Sequence, residues 1–299
     1  MKKTIDNFLD AMQHERDLSK NTVEAYQSDL LQYVRYLREI KQCTDWEDVT
    51  EVQLMNYLYQ LKDSGCAPAT LARKAAALRG FHRFLFRSHL TSSDPAYALS
   101  VPKAAHSHFP ALLTTEQIYL LLRAPSPHTR IGKRDRALLE VLYATGMRAS
   151  ECIRLDHGHV NLSLEFIRCV GKKGTERILP LNISAITALR EYITEWEQKN
   201  AAPDINQPLF TNRSGKRLTR QGLWKILRNH AESAALPVPI SPETLRQSLT
   251  AHLLQNGAPL DFVDELMGRA LVSSASRYMH LNRVPLKELY NRYHPLAKS

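Results

Sequence analysis

At 299 residues the chain has room for two domains of ordinary size, each with its own core. Its 40 Lys and Arg against 30 Asp and Glu leave a formal charge of +10, which favours a polyanionic partner, duplex DNA first, because spaced cations gain from counterion release. Cys43, Cys66, Cys152 and Cys169 are scattered with no Cys-x-x-Cys pair, which excludes a disulfide framework or zinc site, so reduced thiols and no metal or cofactor are expected. The opening MKKTIDNFLDAMQHERD turns charged before any apolar core forms, and no apolar run is long enough to span a bilayer. The expectation is a cytoplasmic protein with no signal peptide and no membrane association.

From Thr4 to about Lys103 the pattern is helical. Val23, Tyr26, Leu30, Val34 and Leu37 mark one face of a long helix, with Ser19 and Asn21 supplying capping chemistry and Asp29 among the residues off that face. A second helix is predicted from Thr50 through Leu61. Another starts near Pro68 and carries Leu71, Leu78, Phe81 and Leu85, with Arg73, Lys74, Arg79, Arg83 and Arg87 spread around it. These make a small helical bundle with a basic last helix, over residues 1–90. The small, polar and Pro-rich stretch 91–110 reads as a linker, and 111–299 as a second domain.

In that second domain Thr114 and Gln117 have capping-box spacing. Ala137, Leu138, Val141 and Leu142 build a helix reaching Gly146, and Arg148 follows where a new helix begins. Phe166–Val170 and Arg177–Leu181 flank Gly171-Lys172-Lys173-Gly174-Thr175-Glu176, which predicts a β-hairpin with a cationic tip. Farther on, Leu223, Ile226 and Leu227 face a core, leaving Arg220, Gln221, Lys225 and Arg228 on another face that suits a major groove. Two short helices follow, with Arg246 inside the first and Gly257 and Pro259 between them. Tyr278 stands after a Ser-rich turn, and Val284, Leu286, Leu289 and Tyr290 mark a final amphipathic helix ending at His294-Pro295.

The order of these residues resembles the tyrosine recombinases, the phage integrase-like family, and especially its bacterial Xer subgroup. There the active-site segment reads roughly Pro-His-x-Leu-Arg-His, Thr-His-Leu-Leu, Gly-Ala, Leu-Gly-His, and a Tyr ten residues after that Gly. This chain gives Pro242-Glu243-Thr244-Leu245-Arg246-Gln247, Ala251-His252-Leu253-Leu254, Gly257-Ala258, Met267-Gly268-Arg269, and Tyr278 at the matching distance. ATGMRASE, spanning Arg148, resembles the family's first arginine motif, and the hairpin resembles Gly-Lys-Gly-x-x-Glu-Arg. The frame is kept, but Glu243, Gln247 and Arg269 stand where the family has His.

The resemblance implies a mainly α fold with a small β-hairpin or sheet in the C-terminal domain, arranged as a two-domain, C-shaped DNA clamp. It implies Tyr278 as nucleophile, Arg148 and Arg246 on the phosphate, and Lys172 as general acid, with Lys173 the alternative. Partners would be double-stranded DNA at a specific recombination site and a homo- or hetero-tetramer with a related recombinase. A DNA translocase of cell division would be an activator, although no residue pattern speaks for one. A phenol suits the chemistry, because its phosphoester conserves the energy of the broken strand for resealing. An ionised Glu243 about 4 Å from a phosphate is unfavourable by roughly 4 kcal/mol at an effective dielectric of about 20. That cost, which Arg269 could offset, implies an active but damped or partner-activated enzyme, and the loss of all three histidines motivates the alternative, an inactive DNA-binding paralogue serving as an architectural or regulatory partner subunit. A type IB topoisomerase shares the chemistry, but not the separate helical domain or the spacing.

Overall fold

The computed structural model describes residues 1–16, 18, 20–41, 43–99, 112–171, 174–197, 204–236, 239–268 and 290–296. The chain divides into two compact units, Met1–Phe109 and Pro110–Ser299.

The first unit is built from α1 (Lys2–Arg16), α2 (Lys20–Lys41), α3 (Glu51–Asp63) and α4 (Pro68–Arg87). Local chemistry explains the starts of α3 and α4. Thr50 and Gln53 close a reciprocal capping box on α3, and Pro68 occupies the first turn of α4, where its missing N–H costs nothing. The apolar stripes meet in a core of Ile5, Phe8, Leu30, Leu37, Leu54, Leu78 and Phe81, alongside an aromatic group of Tyr33, Trp46, Tyr57 and His82. Ser19, predicted to cap α2, lies outside the described residues.

Two expectations change here. Asp29, off the apolar stripe of α2 by sequence, is nonetheless buried, where Arg73 and Lys74 both pair with it, Lys74 Nζ at 2.8 Å. Two of the five basic residues of α4 therefore join it to α2 rather than to solvent, because a buried carboxylate demands paired cations. The helical pattern also stops at Arg87; residues 88–99 are turns and bends, and Ala96 and Leu99 close the bottom of the same core. The unit thus extends into the stretch read as linker, and residues 100–111 lie outside the described set.

The second unit contains α5 (Thr115–Arg123), α6 (Arg130–Thr145), α7 (Ala149–Cys152), β1 (Val160–Asn161), β2 (Phe166–Val170), β3 (Glu176–Pro180), α8 (Ile183–Glu197), α9 (Arg220–Ser233), α10 (Pro242–Gln255) and α11 (Leu260–Met267). The predicted hairpin is β2 and β3, paired antiparallel with Ile167 opposite Leu179, and short β1 adds a third strand beside β2. Thr114 and Gln117 form the predicted capping box. α6 is the axis of the unit: from Ala137 to Thr145 every residue is buried, which fits a helix covered on all sides by neighbours such as α8 and α10. Residues 290–293 are helical and return to this core, with Tyr290 fully buried and its hydroxyl donating to Ala144 O at 3.0 Å. The fold is mainly α with one small sheet. No helix of the described residues is long and apolar enough to cross a membrane.

Candidate active site

α6 ends at Gly146 in the left-handed region (φ 58°), and a Cβ there would stand 2.7 Å from Met267 Cε. Only a residue without a side chain allows this approach, which brings the ends of α6 and α11 together. Two residues later Arg148 is the N-cap of α7. Its backbone N–H donates to Glu151 Oε2 at 2.7 Å and its Nη1 to Oε1 at 3.0 Å. The Arg148 side chain remains 43% exposed, and Nη2 reaches Gly268 O at 3.4 Å.

Arg246 sits in the second turn of α10 and is buried. Its two terminal nitrogens donate to Gly146 O and Met267 O, so one guanidinium ties together α6, α10 and α11. These donors go to backbone carbonyls rather than to a carboxylate. Burial, and then the neighbouring Arg148, push its pKa down to about 10, with Glu243 opposing, so it stays cationic at neutral pH.

Glu151, buried, is the anionic hub. Burial alone would raise its pKa, but hydrogen bonds from Arg177 and Arg148 outweigh that and hold it down to about 2. Arg148, Arg177 and Gly268 line an open cleft of about 520 Å³, together with Arg154, Gly171 and Thr175. The two segments carrying the other motif residues leave from this wall: Gly171 precedes Lys172 and Lys173, and Gly268 precedes Arg269. Lys172, Lys173, Arg269 and Tyr278 themselves lie outside the described residues. Glu243 is exposed in the first turn of α10, 3.4 Å from Gln247 Nε2, so two of the three residues at family His positions contact each other.

Glu151 and Arg177 were not singled out from sequence, although both stand inside quoted motifs. The signals were the i, i+3 spacing of Arg148 and Glu151 and the Glu-Arg ending of the hairpin motif. Arg220, Gln221, Lys225 and Arg228 are exposed on α9 as expected, opposite buried Leu223 and Leu227, and are not part of the cleft. Trp224 joins their face at 51% exposure, and Arg228 is occupied by an exposed pair with Glu232.

Behind the arginines, Tyr143 of α6 and His252 of α10 share a 2.8 Å hydrogen bond. His294 Nε2 donates to Tyr143 O at 3.4 Å, and its ring stacks on Tyr290. The described end of the chain therefore folds back on its own unit. Among the described residues no cluster of His, Cys, Asp and Glu is arranged to hold a metal ion.

Residues 111–284 match the model of the phage integrase family, and residues 5–89 match the phage integrase N-terminal SAM-like domain. The chain belongs to the phage integrase family. It is 38% identical to tyrosine recombinase XerD of Halalkalibacterium halodurans over 99% of this chain and all of that protein. It is 39% identical to XerD of Oceanobacillus iheyensis over 98% of each. Within the family it is of the Xer type of tyrosine recombinase. In fold it is similar to the XerH site-specific recombinase bound to palindromic difH substrate in a post-cleavage complex. That likeness has a TM-score of 0.70 at 21% identity and covers 96% of this chain and 84% of that one. A lambda integrase tetramer bound to a Holliday junction shares the fold at TM-score 0.68 and 14% identity, covering 91% and 77%.

Proposed function

We propose that the chain cuts and rejoins DNA at a specific site, with Tyr278 attacking the phosphodiester to form a 3′-phosphotyrosyl ester and release a 5′-hydroxyl. Lys172 gives the departing sugar oxygen its proton, and Arg148 and Arg246 hold the phosphate. Attack by a 5′-hydroxyl on the ester then reseals the strand and frees the tyrosine, so no external energy source is needed. One observation carries this reading: the Arg148 and Arg177 guanidinium groups share the buried Glu151 carboxylate, and buried Arg246, near enough to Arg148 for their charges to repel, donates to carbonyls rather than to a carboxylate. Such an excess of fixed, planar donors suits a phosphorus centre that gains negative charge as it becomes five-coordinate.

The helical first unit, residues 1–90 by sequence, is read as the DNA-clamping domain, with exposed Arg83 and Arg87 available to phosphates. The face of α9 is read as a base-reading surface. Assembly as a tetramer, with itself or a related recombinase, accords with the lambda integrase tetramer, and chromosome or plasmid dimer resolution in the cytoplasm accords with the Xer-type relatives. Activation by a DNA translocase is the further expectation. With Glu243, Gln247 and Arg269 at His positions, cleavage is damped or partner-dependent.

The test is a nicked duplex bearing a site that the protein selects from a randomised pool, so that the cleaved end diffuses away. A protein–DNA adduct that persists on a denaturing gel and disappears in Tyr278→Phe is expected. Specific binding with no adduct, even beside a paralogous partner, would instead describe a DNA-binding subunit. Glu243→His with Arg269→His should raise adduct formation; no gain would count against the damping.

A further inference from the structure

Arg177 stands on β3 at the wall of the cleft, its side chain only 18% exposed. It meets Glu151 as a fork, Nη1 to Oε1 at 3.1 Å and Nη2 to Oε2 at 2.9 Å. Arg148 donates to the same two oxygens. On its flat side the Arg177 guanidinium lies against Gly268: a Cβ built there would stand 3.0 to 3.1 Å from Cζ, Nη1 and Nε. Gly268 is the C-cap of α11, its carbonyl meets Arg148, and the chain leaving it reaches Tyr278 ten residues later.

We propose that Arg177 is a positioning residue for strand cleavage: it shares the Glu151 charge so that Arg148 keeps its guanidinium for the phosphate, and it fixes the point where the chain leaves α11 toward Tyr278. The inference rests on the recombinase reading above. Charge counting supports it. In the group joined through Glu151 and Gly146, Arg148, Arg177 and Arg246 against Glu151 leave a local excess of two positive charges, while Arg154, Glu176 and Glu265 also line the cleft. A phosphodiester brings one negative charge and its five-coordinate form approaches two, so each fixed cation that Glu151 leaves free favours the transition state over the ground state. Without Arg177 the buried carboxylate has Arg148 as its one hydrogen-bonded cation, and the Arg148 side chain, whose Nη1 already donates to Glu151, is drawn further inward. Excess charge then falls to one, and the phosphate loses a donor that Glu151 captures.

The experiment measures single-turnover adduct formation by the full chain on the nicked, pool-selected duplex, with duplex affinity measured in parallel. Arg177→Met should slow adduct formation by about a hundredfold while affinity changes by about twofold or less. Arg177→Lys keeps the charge but not the fork or the flat face, and should lose about tenfold. Combining Arg177→Met with Glu151→Gln removes the carboxylate that captures Arg148 and should recover about tenfold over Arg177→Met alone. A purely structural pair would couple in melting temperature as well, so every rate is read well below each variant's melting transition, where a structural role leaves adduct formation unchanged and positioning does not. Wild-type rates in Arg177→Met, or a double variant no faster than Arg177→Met, would overturn the proposal. Should Arg177→Met fail to fold, a wild-type rate in Arg177→Lys would overturn it. Absence of an adduct from the wild-type chain would instead remove the recombinase reading, and this inference with it.

Discussion

Gly146→Ala perturbs the point where α6, α10 and α11 meet. The residue adopts φ 58°, and an L side chain in that region costs about 1–2 kcal/mol. The added Cβ would also stand 2.7 Å from Met267 Cε, 2.9 Å from Met267 Sδ and 3.1 Å from Leu249 Cδ2. A methionine end yields readily at a surface, but Met267 and Leu249 are both fully buried, so any movement displaces further core atoms. Overpacking of this kind adds about 1–2 kcal/mol, for a total of roughly 2–4 kcal/mol. At about 2–4 °C per kcal/mol for a unit of this size, thermal unfolding of the C-terminal unit should fall by roughly 5–15 °C. Gly257→Ala is the control: it too has a left-handed backbone (φ 84°), but a Cβ there meets nothing within 4 Å, so only the backbone cost of about 1–2 kcal/mol remains. Because Gly146 O also accepts from Arg246, adduct formation measured below both transitions should drop by at least about tenfold in Gly146→Ala and little in Gly257→Ala. Equal melting temperatures for the two variants would refute the close approach of α6 to α11 as a constraint on the site.

Burial without an acidic partner holds His82 and His294 neutral, with pKa values pushed down from 6.5 to about 4. The unfolded chain therefore binds more protons between those values, so stability is full above pH 6.5 and lost as pH falls toward 4. The loss is about 3 kcal/mol per residue, and urea unfolding across this range should be visibly flatter in His82→Gln. Asp29→Ala leaves Lys74 buried without its carboxylate and should destabilise the first unit by about 3–5 kcal/mol. Asp29→Leu with Lys74→Met should recover most of that, and a double variant as unstable as the single would refute the pairing. On α9, Gln221→Ala should relax preference at one base position by about 1–3 kcal/mol in a binding selection. Lys225→Ala should weaken all sites alike and lower the salt dependence by about one counterion.

What the chain discloses without coordinates is what neighbours in sequence decide. The capping boxes at Thr50 and Thr114 need only residues three apart, the β2–β3 hairpin needs a short polar loop between apolar runs, and the helix stripes need only period. The family resemblance, by motif order, named Arg148 and Arg246 together without placing either of them. What required tertiary structure is every contact whose partners lie far apart along the chain. Asp29 meets Lys74 across 45 residues, Glu151 meets Arg177 across 26, and Arg246 reaches Gly146 across 100. A charged residue on a helix looks solvated in sequence, because the pattern carries no information about which carboxylate or carbonyl another element will bring to it. The same limit concealed Ala96 and Leu99 in a polar stretch. Burial is a property of the packed chain, and it turned a row of arginines into one buried, carbonyl-held guanidinium beside a shared carboxylate.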